Sequence, residues 1–472
     1  MIRAKSRQKT EFGDFQTPPE LADAACRLLR QEGIMPASIV EPTCGEGFFL
    51  KAAADTFPQV KQLVGREWND TYVDTARSRL EACDMSIDIA QADFFQQDWQ
   101  TTLEQQPGPL LVLGNPPWVT NSQLGTLDSA NLPAKSNFQN ERGIAAKTGK
   151  ANFDISQWMI THLLESMPEQ GGVLAMLCKT AVARKVLQHA WKQGLPLEDC
   201  SIRCIDSRRH FQAAVDACLF ICHVQPGAAS RQCAIFHELE DPRPASILGY
   251  YEGSLLADRE AFERHRELLA NEPTRRWRSG LKHDCRDVMQ LRREGWTLVN
   301  GLGEAVELED DFLFPLMPAG AIHRGETKST EQFVLVPQTH TGEDTLKIAT
   351  IAPRTWAYLQ KHSERLAARK SSIYRGRPPF SIFGIGEYSF APWKVAISAL
   401  HKDLRFRVIG PQDGRPVMLD DTTYFLSFTS RKEAKAAAAR LHSDEVQEFL
   451  SAWIFWDAKR PITTEVLQRL AG

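Results

Sequence analysis

Short apolar runs closed by polar or glycine-bearing tips alternate with helix-period patterns through the first half of the chain. The strand-like runs are Ser38-Ile39-Val40, Gln62-Leu63-Val64-Gly65, Ile87-Asp88-Ile89-Ala90, Leu110-Leu111-Val112-Leu113, Val173 to Leu177 and Ala217 to Cys222. Between them Leu21, Ala24, Ala25, Leu28 and Leu29 recur at helical spacing, and further helical stretches run from Lys51 to Phe57 and from Tyr72 to Cys83. Strands that alternate with amphipathic helices predict an α/β domain built on a mixed, mostly parallel sheet. In such sheets ligands bind beyond the carboxyl ends of the strands, so the tips are the places to search for chemistry.

The first tip, Glu41-Pro42-Thr43-Cys44-Gly45-Glu46-Gly47, is a glycine turn between a strand and a helix. Glycines let the backbone approach a ligand closely. The pattern is a single GxG without the third glycine of a dinucleotide site, and Glu41 and Glu46 would repel a pyrophosphate. Two carboxylates there suit a cationic ligand with amino and sulfonium groups, and S-adenosylmethionine is such a ligand. At the second tip Glu67 lies about 20 residues beyond the turn, the spacing at which an acid takes ribose hydroxyls. Trp68 beside it offers a face to an adenine ring. The third tip carries Asp93, suited to accept from an adenine amino group, with Phe94 available for the other ring face. The fourth is Asn115-Pro116-Pro117-Trp118. Two prolines fix φ and remove two donors, so a side-chain amide, a rigid carbonyl and an aromatic face stand together as a clamp for a planar ring bearing an NH2 group. Upstream, Thr17 is expected to cap a helix with Pro18 at its first position and Glu20 as capping-box partner. Each residue taken alone has a plainer reading as cap, surface charge or core aromatic; four tips in this order argue for a site.

With these residues in place, the chain resembles the gamma-class DNA adenine-N6 methyltransferases of restriction-modification systems, from Phe12 to Val224. Phe15-Gln16-Thr17-Pro18-Pro19-Glu20 is similar to the family's leading motif, which implies cofactor contact by Thr17. Glu41 to Gly47, with Thr43, Cys44, Gly45 and Gly47, resembles its glycine motif, Glu67-Trp68 its ribose site and Asp93-Phe94 its adenine site. Asn115 to Trp118 resembles the catalytic motif, commonly Asn-Pro-Pro-Tyr, with Asn115 and Pro117 also bordering the cofactor. Asn152-Phe153-Asp154 opens the next helix where an Asn-Leu-Tyr type string is often found, and His210-Phe211-Gln212 stands where the family has a second aromatic against the extruded base. The resemblance implies a Rossmann-like S-adenosylmethionine-dependent methyltransferase domain over residues 1–230 and a C-terminal α+β target-recognition domain over 231–472. It implies methyl transfer to adenine N6 of a base flipped out of double-stranded DNA, with Asn115 and the Pro116 carbonyl on the amino group, Pro117 for rigidity, and Trp118 and Phe211 on the ring. RNA adenine, a protein glutamine amide, cytosine N4 and a non-catalytic DNA-binding subunit are the alternatives the motifs leave open.

Length and charge add the second half to this picture. At 472 residues the chain is long enough for two to three domains. The net charge of -3 conceals a basic stretch, residues 354–410, with eleven Lys/Arg against three Asp/Glu. Its clearest piece, Ser372 to Phe380, interleaves Tyr374, Arg375, Arg377 and Phe380, a composition that suits phosphate contact. The polar segment between Val119 and Ala151, about 30 residues long, exceeds an ordinary connection and is expected to act as a lid or strand-contacting loop. Ten scattered cysteines fit a reducing compartment. Cys200, Cys204, Cys218 and Cys222 beside His223 are spaced too loosely for zinc, so no metal is expected. With no apolar run of about 18 residues and no signal-peptide core, a cytoplasmic monomer without membrane contact is expected. No room remains before Phe12 for a fused nuclease, so any cognate restriction endonuclease is expected to be a separate polypeptide.

Overall fold

The expected strands form one sheet, in an order that places the candidate tips side by side. The computed structural model describes residues 16–119, 154–270 and 275–471, and the chain divides into two units, Met1–Arg259 and Glu260–Gly472. The strands of the first unit are β1 (Ser38–Glu41), β2 (Gln62–Glu67), β3 (Ser86–Gln91), β4 (Leu110–Gly114), β5 (Gly172–Lys179), β6 (Leu197–Ile205), β7 (Ala217–Val224), β8 (Gln232–Phe236), β9 (Ser246–Tyr251) and β10 (Ser254–Leu256). Their order is β10-β9-β8-β6-β7-β5-β4-β1-β2-β3. β3, β2, β1, β4 and β5 run parallel, and β7 lies antiparallel between β5 and β6. The order reverses between β1 and β4, which makes their carboxyl ends the topological switch point where open sheets bind ligands.

Burial explains why β1 and β4 are central: every residue of both is buried, as strands covered on both faces require. The covering helices are α1 (Pro19–Gln31), α2 (Phe48–Thr56), α3 (Asp70–Leu80), α4 (Trp99–Glu104), α5 (Ile155–Glu165), α6 (Thr180–Gln193) and α7 (Ser207–Phe211). The apolar stripe of α1, Leu21, Ala25, Leu28 and Leu29, enters one core with Phe49 and Leu50 of α2 and Ile39, Leu63 and Leu111 of the sheet.

Two expectations change. Thr17 does not cap α1: the cap residue is Pro18, no side chain caps the helix, and the Leu21 and Ala22 amides donate to the Pro18 carbonyl. The first unit also extends to Arg259 rather than ending at residue 230. β8 pairs parallel with β6, and β9 and β10 add antiparallel strands beyond it, so a stretch without motifs still belongs to the same sheet.

The second unit is α+β. One sheet has the order β11-β20-β17-β18, from β11 (Arg278–Ser279), β17 (Trp393–Ser398), β18 (Arg407–Ile409) and β20 (Thr423–Phe428). The other has the order β14-β13-β12-β16-β15-β19, from β12 (Gln290–Glu294), β13 (Thr297–Asn300), β14 (Ala305–Val306), β15 (Leu313–Met317), β16 (Gln332–Leu335) and β19 (Met418–Leu419). Helices Pro353–Lys361, Arg431–Leu441 and Asp444–Ser451 accompany them. Among the described residues no helix is long and apolar enough to cross a membrane.

Candidate functional site

The glycine turn after β1 is shaped by its neighbours. Gly45 and Gly47 hold φ of 50° and 78°, the left-handed region that side chains disfavour. A Cβ on Gly47 would meet the Ala76 Cβ of α3 at 2.9 Å, and one on Gly45 would meet Gln16 Oε1 at 2.4 Å. The turn is fastened at both flanks. The Cys44 amide donates to the Arg66 carbonyl at 2.9 Å, and the Gly45 amide to Glu67 Oε2 at 2.9 Å. Glu67 Oε1 accepts from the Asn69 amide, also at 2.9 Å. On the other side the Glu46 amide donates to Gln16 Oε1 at 3.2 Å, which draws the segment before α1 onto the turn. Gln16 lies in the leading motif, yet its own contact is visible only in the fold.

The two acids of the turn differ. Glu46 faces Arg79, with its carbonyl accepting from Arg79 Nε at 2.8 Å and its carboxylate 3.6 Å from the guanidinium. Glu41 is 3% exposed and its Oε2 is buried with no hydrogen-bond partner. Burial raises its carboxyl well above the ordinary carboxylate range, the nearby Glu67 charge raises it further, and the Leu50 amide opposes the rise. A buried carboxylate oxygen with unused acceptor capacity is costly in isolation and is relieved by a cation. Burial also pushes the Cys44 thiol up, so it is a packed, protonated group. Thr17 is buried beside α1, and Thr43 is half-buried in the turn.

The second and third tips are less uniform. Trp68 is 56% exposed beside Glu67 and offers an open ring face. Asp93 spends its carboxylate locally, accepting from the Phe95 amide and from Gln96 Nε2, both at 2.9 Å. The ring of Phe94 is buried, 4.9 Å from Trp99 and 6.1 Å from Trp158 between centroids. The adjacent Phe95 is half-buried against Trp158 at 5.3 Å.

The fourth tip leaves β4 next to Glu41: a Cβ on Gly114 would lie 3.4 Å from Glu41 Cγ. Asn115 and Pro117 are half-buried and Pro116 is buried. Trp118 packs edge-on against Phe211, with centroids 5.0 Å apart and planes at 64°, and the two are 5% and 7% exposed. Phe211 reaches it from the end of α7, whose N-terminus is capped by Asp206 through the Arg208 and Arg209 amides. The contact leaves no gap between the rings, so they form one corner. The Trp118 indole donates to the Leu177 carbonyl at 3.3 Å, and Lys179 Nζ donates to the Trp118 carbonyl at 3.1 Å. Local sequence marks Leu177 only as part of an apolar run and gives Lys179 no site role; a lysine closing an apolar strand at the ligand edge is the available signal.

The fold therefore gathers Glu41, Gly45, Gly47 and Glu67 into one cradle and sets Asn115 to Trp118 on the adjacent strand, with Phe211 against Trp118. Residues 152 and 153 and the expected lid lie outside the described residues, while Asp154 caps α5 through the Ser156 amide. Cys200 and Cys222 face each other across β6 and β7 with sulfurs 3.4 Å apart. Among the described residues no cluster of three or more His, Cys, Asp or Glu is arranged to hold a metal.

Comparison with known proteins gives a full-length relative. Type II methyltransferase M.NspV of Nostoc sp. is 44% identical over 471 residues, which spans 100% of this chain and 98% of the relative. No family model matches the chain. Among solved structures, the Type IIL restriction-modification enzyme MmeI in complex with DNA superposes with a TM-score of 0.52 at 12% identity, over 96% of this chain and 64% of that longer one. The type I restriction-modification methyltransferase subunit from Streptococcus thermophilus is 18% identical with a TM-score of 0.32, over 47% of each chain.

Proposed function

Because the chain belongs to the Type II methyltransferases, we propose that it methylates adenine N6 at a specific site in double-stranded DNA, as the modification enzyme of a restriction-modification system with the gamma-class motif order. S-adenosyl-L-methionine is its cofactor and supplies an electrophilic methyl group when bound. The residues present fit that group: Glu41 offers a buried carboxylate oxygen to its positive charge, Glu67 borders the turn, and the two glycines keep the cradle open.

The observation that carries the reading is the Asn115-Pro116-Pro117-Trp118 tip at the switch point, one strand from Glu41. An adenine amino nitrogen is a poor nucleophile because its lone pair is delocalised into the ring. Asn115 Oδ1 and the Pro116 carbonyl are the acceptors for its two N–H bonds. Accepting both draws the nitrogen toward tetrahedral geometry and frees the lone pair for the methyl group, so positioning and oriented dipoles supply the acceleration. In this reading the extruded ring meets the corner made by Trp118 and Phe211, and that contact offsets part of the unstacking cost of a few kcal/mol. Asn at position 115 favours adenine over cytosine N4, where Ser is the commoner residue.

The second unit supports duplex DNA as the partner. Five of the eleven basic residues in its basic stretch are already engaged or buried: Arg354 with Glu309, Lys361 with Glu304, Arg405 with Asp403, Arg369 on the His283 and Ser381 carbonyls, and Lys394 buried. Arg375 and Arg377 are exposed on a turn around Gly376. That turn is braced from below by Tyr374, whose ring lies 3.7 Å from the Arg369 guanidinium and 5.4 Å from Phe383. Two exposed guanidinium groups on a braced turn, with Arg377 5.9 Å from the Phe383 ring, suit phosphate contact. Single-molecule sequencing of DNA from a host expressing the chain tests the reading. Methylated adenine at one recurring sequence is expected. Unmodified DNA, with purified protein still binding S-adenosylmethionine, overturns it in favour of an RNA or protein NH2 group.

A further inference from the structure

Resting on that reading, we infer that Lys179 is a positioning residue for methyl transfer, a latch that fixes the Trp118 end of the catalytic tip through a shared contact with Asp154. The sheet register creates the opportunity. Gly114 of β4 lies opposite Met176 of β5, so the chain continuing past Gly114 runs beside Leu177, Cys178 and Lys179. Two groups of β5 hold Trp118 there: the Leu177 carbonyl takes its indole N–H, and Lys179 Nζ donates to its carbonyl. The same ammonium lies 2.6 Å from Asp154 Oδ2. Asp154 is held in turn, its Oδ1 accepting from Ser156 Oγ at 2.6 Å and from the Ser156 amide at 3.2 Å. A backbone bond from the Ile155 amide to the Val119 carbonyl, 2.9 Å long, lies alongside. Trp118 at the end of the tip and Asp154 at the start of α5 both contact Lys179 at the carboxyl end of β5.

Lys179 carries a local cost where it stands. It sits at the cap of α6, and a positive charge at a helix N-terminus opposes the macrodipole. Its side chain is largely covered, as is that of Asp154, so the ammonium is drawn from solvent for these two acceptors. Fixing a carbonyl three residues after Asn115, and the indole between two strands, restricts the orientation of both the amide and the aromatic corner. Displacements of about 1 Å at such a site cost on the order of 100-fold in rate.

The test compares wild type, Lys179→Met, Lys179→Arg and Asp154→Asn in the full chain. The measurements are kcat and KM for duplex DNA carrying the site found by sequencing, S-adenosylmethionine affinity by calorimetry, and melting temperature. Lys179→Met is expected to lower kcat about 10- to 100-fold with cofactor affinity within about 2-fold of wild type. Lys179→Arg is expected to recover most of the rate, and Asp154→Asn to fall between. Cofactor affinity certifies that a variant is folded, and the near-isosteric Asp154→Asn carries the test should Lys179→Met not fold. A lower melting temperature with kcat unchanged overturns the latch and leaves the proposed function intact. Wild type inactive on duplex DNA overturns that function and the latch with it.

Discussion

The Glu67 carboxylate joins two turns, accepting the Gly45 amide on Oε2 and the Asn69 amide on Oε1, each at 2.9 Å. An acid expected to face a ribose thus also sets the shape of the glycine turn. Hydrogen bonds to a charged acceptor contribute roughly 1.5–3 kcal/mol each, so Glu67→Ala loosens the cradle as well as removing a ligand group. S-adenosylmethionine affinity in that variant is expected to fall at least about tenfold by calorimetry. An unchanged affinity would remove Glu67 from the site.

Glu41 gives a pH signature. Its folded carboxyl titrates well above its ordinary value near 4.5 because burial and the Glu67 charge disfavour ionisation. The folded state therefore holds a proton that the unfolded chain has already lost above that value. The associated stability is full below about 4.5 and declines as pH rises through the folded pKa. Glu41→Gln, which cannot ionise, is expected to melt increasingly above wild type as pH is raised from 5 to 9 in the absence of cofactor. The same variant is expected to bind S-adenosylmethionine more weakly. A melting difference that stays flat with pH would contradict the assignment.

Asn115→Ala removes the proposed side-chain acceptor at the tip and leaves the cradle beside it. Methyl transfer is expected to fall by at least about 100- to 1000-fold, the scale of losing one oriented dipole in a preorganised site. Cofactor binding is expected to persist. Turnover close to wild type would exclude the mechanism proposed for the tip.

Arg375→Ala with Arg377→Ala is expected to weaken binding to duplexes of any sequence. The slope of log affinity against log salt should fall by about 1.8, near 0.9 for each phosphate contact. An unaltered salt slope, with wild type binding DNA, would place the contact face elsewhere.

Lys394 is 1% exposed on β17, its ammonium donating to the Ala391 carbonyl at 2.8 Å and standing 5.9 Å from the Phe425 ring. Burial lowers its pKa from 10.5 to about 7. The unfolded lysine binds its proton more tightly, so the burden on stability is full below about pH 7 and is relieved as pH rises toward 10.5. Lys394→Met is expected to raise the melting temperature at pH 6 and to lose that advantage by pH 10. An advantage constant across this range would mean that burial does not lower the folded-state pKa of the lysine.

Much of the site was legible because each tip is local. The GxG turn, Glu67 at its spacing and the Asn-Pro-Pro-Trp string each occupy one strand end, and alternation of apolar runs with helical periods orders those ends along a sheet. What local patterns miss are contacts between distant segments. The tie from Lys179 to Trp118 spans 61 residues and that from Lys179 to Asp154 spans 25; both follow from β4 and β5 lying in register. Thr17 had the composition of a cap, yet Pro18 takes the position because the helix starts one residue later than expected. Glu41 and Glu46 looked equivalent, but only Glu46 meets an arginine, since α3 carries Arg79 to it.

The first unit also outlasts its motifs. β8 to β10 carry no tip chemistry, and only pairing with β6 assigns them to the first sheet. Order along the chain thus determines the α/β class and the candidate cofactor turn and acceptor tip, because strand period, glycine turns and proline rigidity are written in neighbouring residues. Which acid is left buried and uncompensated, which rings touch and which lysine holds the tip depend on strand order and register, and these are settled by packing between segments that the sequence keeps far apart.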